Sequence, residues 1–473
     1  DAVWSIRGIA WHTYFDSAMM IIAFVLTGRL LEEKARRGTA SSIRKLMGLA
    51  PMTARIVSKD DDGVEQLTDV PIATIKIGDL IEVRAGEKIP VDGKVTFATS
   101  FMKEDGAYVD ESMITGEPLP SEKQKGAMVM AGTMLSQGRL RFRARQVGED
   151  TALAQIVKMV REAQGSKAPV QRTVDRAALI FVPVVACVAV LTFVAWVTFG
   201  GFDCVPQGII SAVAVLVVAC PCAMGLATPT ALMVGIGKAA EKGILIKDAT
   251  ALEQLRRINT MVVDKTGTIT IPNPNVDFTK TSSMPLEERE TIKPNAAEAM
   301  TMLTDEGIEV HMMSGDTPEA AAYWAKKAGI THYMSKALPQ DKENLVRNLQ
   351  EQGHKVAMVG DGINDTQALA LADVSIAMGK GTDVAMDVAQ ITLMTDDLKA
   401  LPEAVAMSRR TVKMIYQNLF WAFIYNIVCI PLAAGLLHLF GSDFQITPMW
   451  ASALMAFSSI SVVLNSLRLK YAI

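Results

Sequence analysis

Basic residues are missing from two long stretches of this chain. No Lys or Arg occurs between Arg176 and Lys238 or between Lys413 and Arg468, although the sequence holds 47 of them in 473 residues. Cysteine is scarce and confined: Cys187, Cys204, Cys220, Cys222 and Cys429 all lie in or beside apolar stretches, which excludes a disulfide framework. The net charge of −3 gives no electrostatic case for nucleic-acid binding. Histidine is equally sparse, and none of His12, His311, His332, His354 and His438 precedes a proline. Against these shortages, half of the residues are hydrophobic and 21% are charged, with a mean hydropathy of +0.25. That combination predicts apolar spans alternating with ordinary soluble domains.

Five apolar stretches reach the roughly 20 residues that span a bilayer: 14–31, 177–199, 208–237, 414–437 and 446–467. Arg29 and 34–37 follow the first, and Arg172 and Arg176 precede the second. Lys238 and Lys242 follow the third, Arg409, Arg410 and Lys413 precede the fourth, and Arg468 and Lys470 close the fifth. The positive-inside rule then places both long charged segments in the cytosol and turns 200–207 and 438–447 outward. An odd number of spans leaves Asp1 outside, and a first residue other than Met suggests a processed or cut N-terminus. Upstream helices are expected on both grounds. The organisation predicted is a first span with its flanks at 1–37, a cytosolic domain at 38–171, two spans at 172–248, a second cytosolic domain at 249–401 and two further spans at 402–473. Short apolar runs with Gly-Asp, Pro-Val-Asp-Gly and Thr-Gly-Glu turns make the first cytosolic domain β-rich. Apolar strands at 260–263, 308–313, 355–359 and 374–377 alternate with helical stretches in the second. That alternation predicts a doubly wound parallel sheet with functional loops at the strands' C-terminal ends.

The motifs fall at those ends. Asp264-Lys265-Thr266-Gly267-Thr268 follows a buried apolar run. A carboxylate there can attack a phosphoryl group and hold it, with Lys265 and turn N–H groups offsetting the charge. Ser314-Gly315-Asp316 offers a hydroxyl for a phosphoryl oxygen, and Lys342 a fixed cation. Asp361, Asn364 and Asp365 sit on a Gly-rich turn, and hard oxygen donors of this kind suit Mg²⁺.

This ordered set resembles the haloacid-dehalogenase-type phosphorylation domain of P-type ATPases. The resemblance implies Asp264 as phosphorylated nucleophile, Thr266 and Ser314 as phosphate-positioning groups, and Lys342 as the stabilising cation. Asp361 would hold Mg²⁺ together with Asp264, and Asn364 and Asp365 would complete the site, with ATP as phosphoryl donor. The first cytosolic segment matches the family's actuator domain. Its Thr115-Gly116-Glu117 lies in the stretch from Val109 to Pro118, and in the family that Glu positions the hydrolytic water, a general-base task. The fold implied is a helical transmembrane bundle carrying a β-rich actuator and an α/β phosphorylation domain. The location implied is the cell membrane of a bacterium, crossed several times, with lipid as surroundings.

The spans speak to the cargo. Cys220-Pro221-Cys222 lies mid-span, where proline kinks the helix and frees backbone groups. Two thiolates flanking that kink form a soft site suited to Cu(I), though Zn²⁺ also accepts sulfur. Tyr425 and Asn426 precede Pro431 in the fourth span, and Met455, Ser458 and Ser459 lie in the fifth. These look like the copper(I) subgroup of heavy-metal P-type ATPases; the zinc, cadmium and lead subgroup would carry a Lys and an Asp that are absent from both span cores. Glu32 and Asp175, near the cytosolic face, resemble positions that pass copper inward, and each reads equally as a solvated interfacial charge. A cytosolic copper chaperone is a partner the resemblance implies.

The chain departs from the family in one stretch. Relatives place a nucleotide-binding domain of well over a hundred residues after this motif, whereas here a linker-like segment near 271–290 leads to a helix expected near Ile292. The adenine-site His-Pro dipeptide and the soft-metal Cys-x-x-Cys domain are also missing. Two readings follow: a copper(I) pump impaired in its use of ATP, or a membrane copper-binding or scaffold protein with an idle phosphorylation domain. A Zn/Cd-type pump is a further alternative. A membrane-tethered phosphatase is another, but it would carry an Asp two residues after its nucleophile. Thr266 stands there instead, and Thr is a poor general acid at neutral pH.

Overall fold

The computed structural model describes residues 3–6, 9–12, 51–59, 65–100, 106–115, 120–273, 284–361, 363–379, 388–442 and 444–472, with isolated positions between 19 and 33. They divide into two compact units, one of 1–40, 167–235 and 410–473, the other of 41–166 and 236–409. Most of the first expected span lies outside the described residues, though positions 22–23, 26–27 and 29–30 are helical.

Within the larger unit, the β-rich part holds a six-stranded antiparallel sheet. Its order is Glu65–Pro71, Thr53–Lys59, Leu80–Arg84, Arg139–Gln146, Asp92–Thr99 and Met128–Val129, beside a three-stranded sheet centred on Ala107–Asp110. Strand alternation carries Ile81, Val83, Leu140 and Phe142 into one core with Ile89, Val109 and Leu135. Asp92 is buried there and accepts from Ala131 N and Ala152 N, each at 2.6 Å, which ties the Pro-Val-Asp-Gly turn to the start of helix Ala152–Gly165.

The α/β part is a seven-stranded sheet ordered Ile244–Ile246, Ile391–Leu393, Val374–Met378, Val356–Gly360, Thr260–Asp264, Glu309–Met313, His332–Met334. Only the Ile244–Ile246 pairing is antiparallel. The interior strand Thr260–Asp264 is buried at every position, as its unbroken apolar run requires of a strand covered on both faces. Asp264 pairs in register with Met313, and Val263 with Val359, so the three loops that follow leave from one edge. Helix Pro318–Ala328 covers the sheet with Trp324; Thr317 caps its start and Gly329, at φ +73°, ends it.

The expected linker is structured at both of its ends. Thr270–Pro272 pairs antiparallel with Glu290–Ile292, and the helix expected near Ile292 starts at Ala296. The ribbon uses the backbone groups that a linker would have left to water. Residues 274–283 lie outside the described set.

In the smaller unit, helices Pro169–Gly200, Val205–Val218, Ala400–Ala434 and Pro448–Ala472 accompany helix Cys222–Glu241. Four helical segments among the described residues are long and apolar enough to cross a membrane. The second is broken: helix Val205–Val218 stops before Cys220-Pro221, and a new helix starts at Cys222. A buried polar network then ties its second half to the last two helices. Asn418 Nδ2 donates to Ala227 O at 3.1 Å and to Ser466 Oγ at 2.8 Å, Asn465 Nδ2 donates to Asn418 Oδ1 at 2.9 Å, and Thr230 Oγ1 lies 3.0 Å from Ser466 Oγ. Side-chain bonds of this kind between apolar helices contribute about 0.6 kcal/mol on average and about 1.7 at most. Asn418→Leu removes the bonds that Asn418 makes, so we expect a loss of about 1–3 kcal/mol, read as a lower unfolding temperature of the detergent-solubilised protein. An unchanged midpoint would show that the network contributes nothing.

Candidate active site

Asp264 ends the interior strand and is buried. Lys342, four residues into helix Pro339–Glu351, is buried beside it and donates to Asp264 Oδ1 at 2.5 Å and to Asp365 Oδ1 at 2.6 Å. Asp361 follows strand Val356–Gly360 directly, and carboxylate oxygens of Asp264, Asp361 and Asp365 lie within 4.8 Å of one another. Asp264 and Asp365 thus share one ammonium, while Asp361 beside them feels the Lys293 charge ahead of that of Lys342. Burial and then the Asp365 charge push Asp264 up to about 7, with Lys342 pulling the other way. Burial and Asp365 also raise Asp361. Lys342 is raised as well, because its two carboxylate partners outweigh a burial that works against the charged form. This surplus of negative oxygen donors suits a hard divalent ion, so the three Asp residues fit Mg²⁺.

Gly267 is what lets the motif close on Asp361. Its φ is +75°, and a Cβ there would lie 1.5 Å from Asp361 Oδ2. Neither the conformation nor the space admits a side chain. Thr266, Gly315 and Asn364 are the exposed members of the set, while Ser314 and Thr268 are buried. Ser314 Oγ accepts from Asp316 N at 3.1 Å; Thr268 Oγ1 is buried with no hydrogen-bond partner.

Lys265 departs from expectation. Its side chain is wholly buried, and Nζ donates to Glu290 at 2.5 Å and to Asp316 at 2.6 Å. Its ammonium is therefore held by two carboxylates of neighbouring segments, neither of them Asp264, and it braces the loops. Asp316 is half of that clamp. Glu290, which also accepts from Thr270 Oγ1 at 2.6 Å, is the residue that the sequence reading missed. An acidic residue closing a Pro- and Asn-rich stretch gives no sign that it is paired with a buried Lys.

Thr115 ends the short helix Ser112–Thr115, and its partners Gly116 and Glu117 lie outside the described residues, as does Glu32. Asp175 is exposed, with Lys167 Nζ at 3.4 Å. In the apolar unit, Cys220 is half-buried in the helix break. Cys187, Cys204 and Cys429 are free. Cys222 opens the next helix. Met455, Asn426, Ser458 and Ser459 are buried and Tyr425 is half-buried. Asn426 Oδ1 and Ser458 Oγ have no hydrogen-bond partner, an arrangement that costs free energy unless something else satisfies them.

Two stretches match known domain families: residues 48–161 the P-type ATPase actuator domain, and residues 281–373 the haloacid dehalogenase-like hydrolases. The fold and the matched stretches thus define a haloacid dehalogenase-like domain that follows a P-type ATPase actuator domain in the chain. The Copper-transporting ATPase 1 of Rhizobium meliloti (strain 1021) is 38% identical over 561 residues, covering 97% of this chain and 66% of its own. The Copper-exporting P-type ATPase of Legionella pneumophila is 38% identical over 558 residues, covering 97% and 74%. The Probable copper-exporting P-type ATPase V of Mycobacterium tuberculosis (H37Rv) is 40% identical over 562, covering 97% and 70%. A crystal structure of a zinc-transporting PIB-type ATPase in its E2.Pi state superposes with a TM-score of 0.55 at 27% identity, covering 95% of this chain and 86% of that one. The chain belongs to the P-type ATPase family. It spans 66–74% of these three copper relatives, and alignments of 558–562 residues against 473 mean that they carry internal residues with no counterpart here.

Misplacement of reacting groups by about 1 Å costs on the order of 100-fold in rate. Gly267→Ala forces a larger shift, so covalent labelling of the protein by acetyl phosphate should fall by at least about 100-fold. Labelling at the wild-type rate would mean that the loop has another way to close.

Proposed function

We propose that this chain is a copper(I)-exporting pump that works through a phosphoaspartate at Asp264, set in a multi-pass helical bundle of the cell membrane. The observation that carries the reading is the buried Asp264, bonded to Lys342 and facing two further carboxylates, in a chain that also carries Cys220-Pro221-Cys222 at a helix break. An Asp264 carboxylate oxygen attacks the terminal phosphorus of ATP as the bond to the ADP oxygen breaks. Lys342 offsets the charge carried by the phosphoryl oxygens, and Thr266 and Ser314 orient them; such transfer rests chiefly on positioning and neutralisation. Asp264, Asp361 and Asp365 would hold Mg²⁺, which supplies charge neutralisation and favours the ionised nucleophile. In the return step Glu117 takes a proton from water as the water attacks phosphorus and the aspartyl bond breaks.

Cargo selection belongs to Cys220, Cys222 and Met455, with Tyr425, Asn426 and Ser459 beside them. Sulfur donors and the lack of an acidic partner favour a soft monovalent ion. Copper relatives at 38–40% identity, against 27% for the zinc-transporting structure, support that choice. Glu32 and Asp175 serve uptake from the cytosol, from a copper chaperone in this reading. Transport requires the phosphorylated and free states to bias two membrane conformations.

The ribbon of Thr270–Pro272 with Glu290–Ile292 is where we place the internal residues that the relatives carry in excess. Those residues would supply the nucleotide-binding part, so ATP is a poor donor for this chain while small phosphoryl donors are not. The test is Cu(I)-dependent labelling of Asp264. We expect acetyl phosphate to label the protein only with Cu(I) present, Cys220→Ser to abolish that dependence, and ATP to label at least about tenfold less. A chain that binds Cu(I) and is labelled by no donor would be a copper-binding scaffold instead.

A further inference from the structure

The chain's only other cluster of metal-ligating side chains among the described residues lies at the opposite end of the α/β sheet. Glu309 and His311 stand two apart on strand Glu309–Met313, which puts both on one face. His332 begins the edge strand and pairs in register with His311. Glu309 Oε1 lies 3.0 Å from His311 Nε2 and 3.4 Å from His332 Nε2, and the two rings stack with centroids 5.0 Å apart.

The contact between Glu309 and His311 is an ion pair only when the ring is charged. His311 Nε2 is buried, with Glu309 Oε1 3.0 Å away: a protonated ring nitrogen donates to that carboxylate, and an unprotonated one presents its lone pair to the same point. Ligand atoms about 2.0–2.1 Å from a tetrahedral ion lie about 3.3–3.4 Å apart, and the two separations here fall on and just inside that spacing. Two imidazoles and one carboxylate are the donor set of an ion of borderline softness, whereas Cu(I) prefers sulfur. Glu309 and His332 also line a cavity of about 340 Å³, which leaves a route for the ion and room for a water ligand.

We propose that Glu309, His311 and His332 form a binding site for a divalent first-row transition ion of the Zn²⁺ type, separate from both the phosphorylation site and the cysteine site. The ion clips the three-residue edge strand His332–Met334 to its neighbour. That strand matters to the phosphorylation site, because Met334 O accepts from Ser314 N, and Lys336 N donates to Asp316 O, each at 2.9 Å. The site thus braces, from about 13 Å along the strand, the edge on which the Ser314–Asp316 loop is built.

The test uses the untagged full chain carrying Cys220→Ser and Cys222→Ser, with excess Mg²⁺ to fill the Asp cluster, titrated with Zn²⁺ alone against a chromophoric chelator. One Zn²⁺ per chain is expected, and the exposed His332→Gln should weaken it by more than the roughly 10–100-fold that changes outside the ligand set cost. With Cu²⁺ as probe, electron paramagnetic resonance should show two coordinating nitrogens, and one in His332→Gln. Unchanged Zn²⁺ affinity in His332→Gln, or a Cu²⁺ spectrum without imidazole nitrogen, would overturn the proposal. Neither readout depends on phosphorylation of Asp264, so the outcome is independent of the pump reading.

Discussion

One ammonium group holds the buried Asp264 cluster together. Lys342 touches Asp264 and Asp365 at once, in a place where burial penalises every ionised group nearby. Charges taken out of water are tolerated only when paired and hydrogen-bonded, and two carboxylates on one lysine are not fully paired. The imbalance sets the chemistry. The site favours further positive charge, because burial and the Asp365 charge raise Asp264 against the pull of Lys342. The architecture serves this end: a strand buried on both faces delivers Asp264, a helix start delivers Lys342, and a glycine with positive φ lets the loop approach Asp361.

A second buried lysine, Lys265, does a different job with the same chemistry. Its two carboxylates come from the Asp316 loop and from the Glu290 strand, so it joins three segments that the sequence separates by up to 51 positions. The two buried lysines lie in one domain, Lys265 on a loop and Lys342 at a helix start, and their partners tell them apart.

That distinction marks the limit of what could be read from the sequence. Asp264, Lys342, Asp361 and Asp365 were legible because each follows a strand or turn in an ordered set of motifs, and the α/β alternation fixes which end of the sheet those turns share. The break at Cys220-Pro221 was legible from proline's missing N–H. Lys265 was misassigned because adjacency to the nucleophile says nothing about where a long side chain goes. Glu290 was invisible since its role depends on a ribbon whose two strands lie twenty residues apart in a polar stretch. The Asn418, Ser466 and Thr230 network was equally hidden. It depends on the relative rotation of three helices, and apolar spans without strong periodicity do not encode that.

The ribbon itself has a consequence for how such chains change length. Residues paired across antiparallel strands, such as Ile271 and Thr291, sit about 5 Å apart, so whatever is spliced between them begins and ends at nearly the same point. Closing a longer excursion from such a point costs only about 0.6 kcal/mol per doubling, and the main sheet does not register it. The stem therefore acts as a socket. Residues inserted there need not disturb the fold around Asp264, and Glu290, bonded to Lys265, makes the loop after Asp264 the first to feel them.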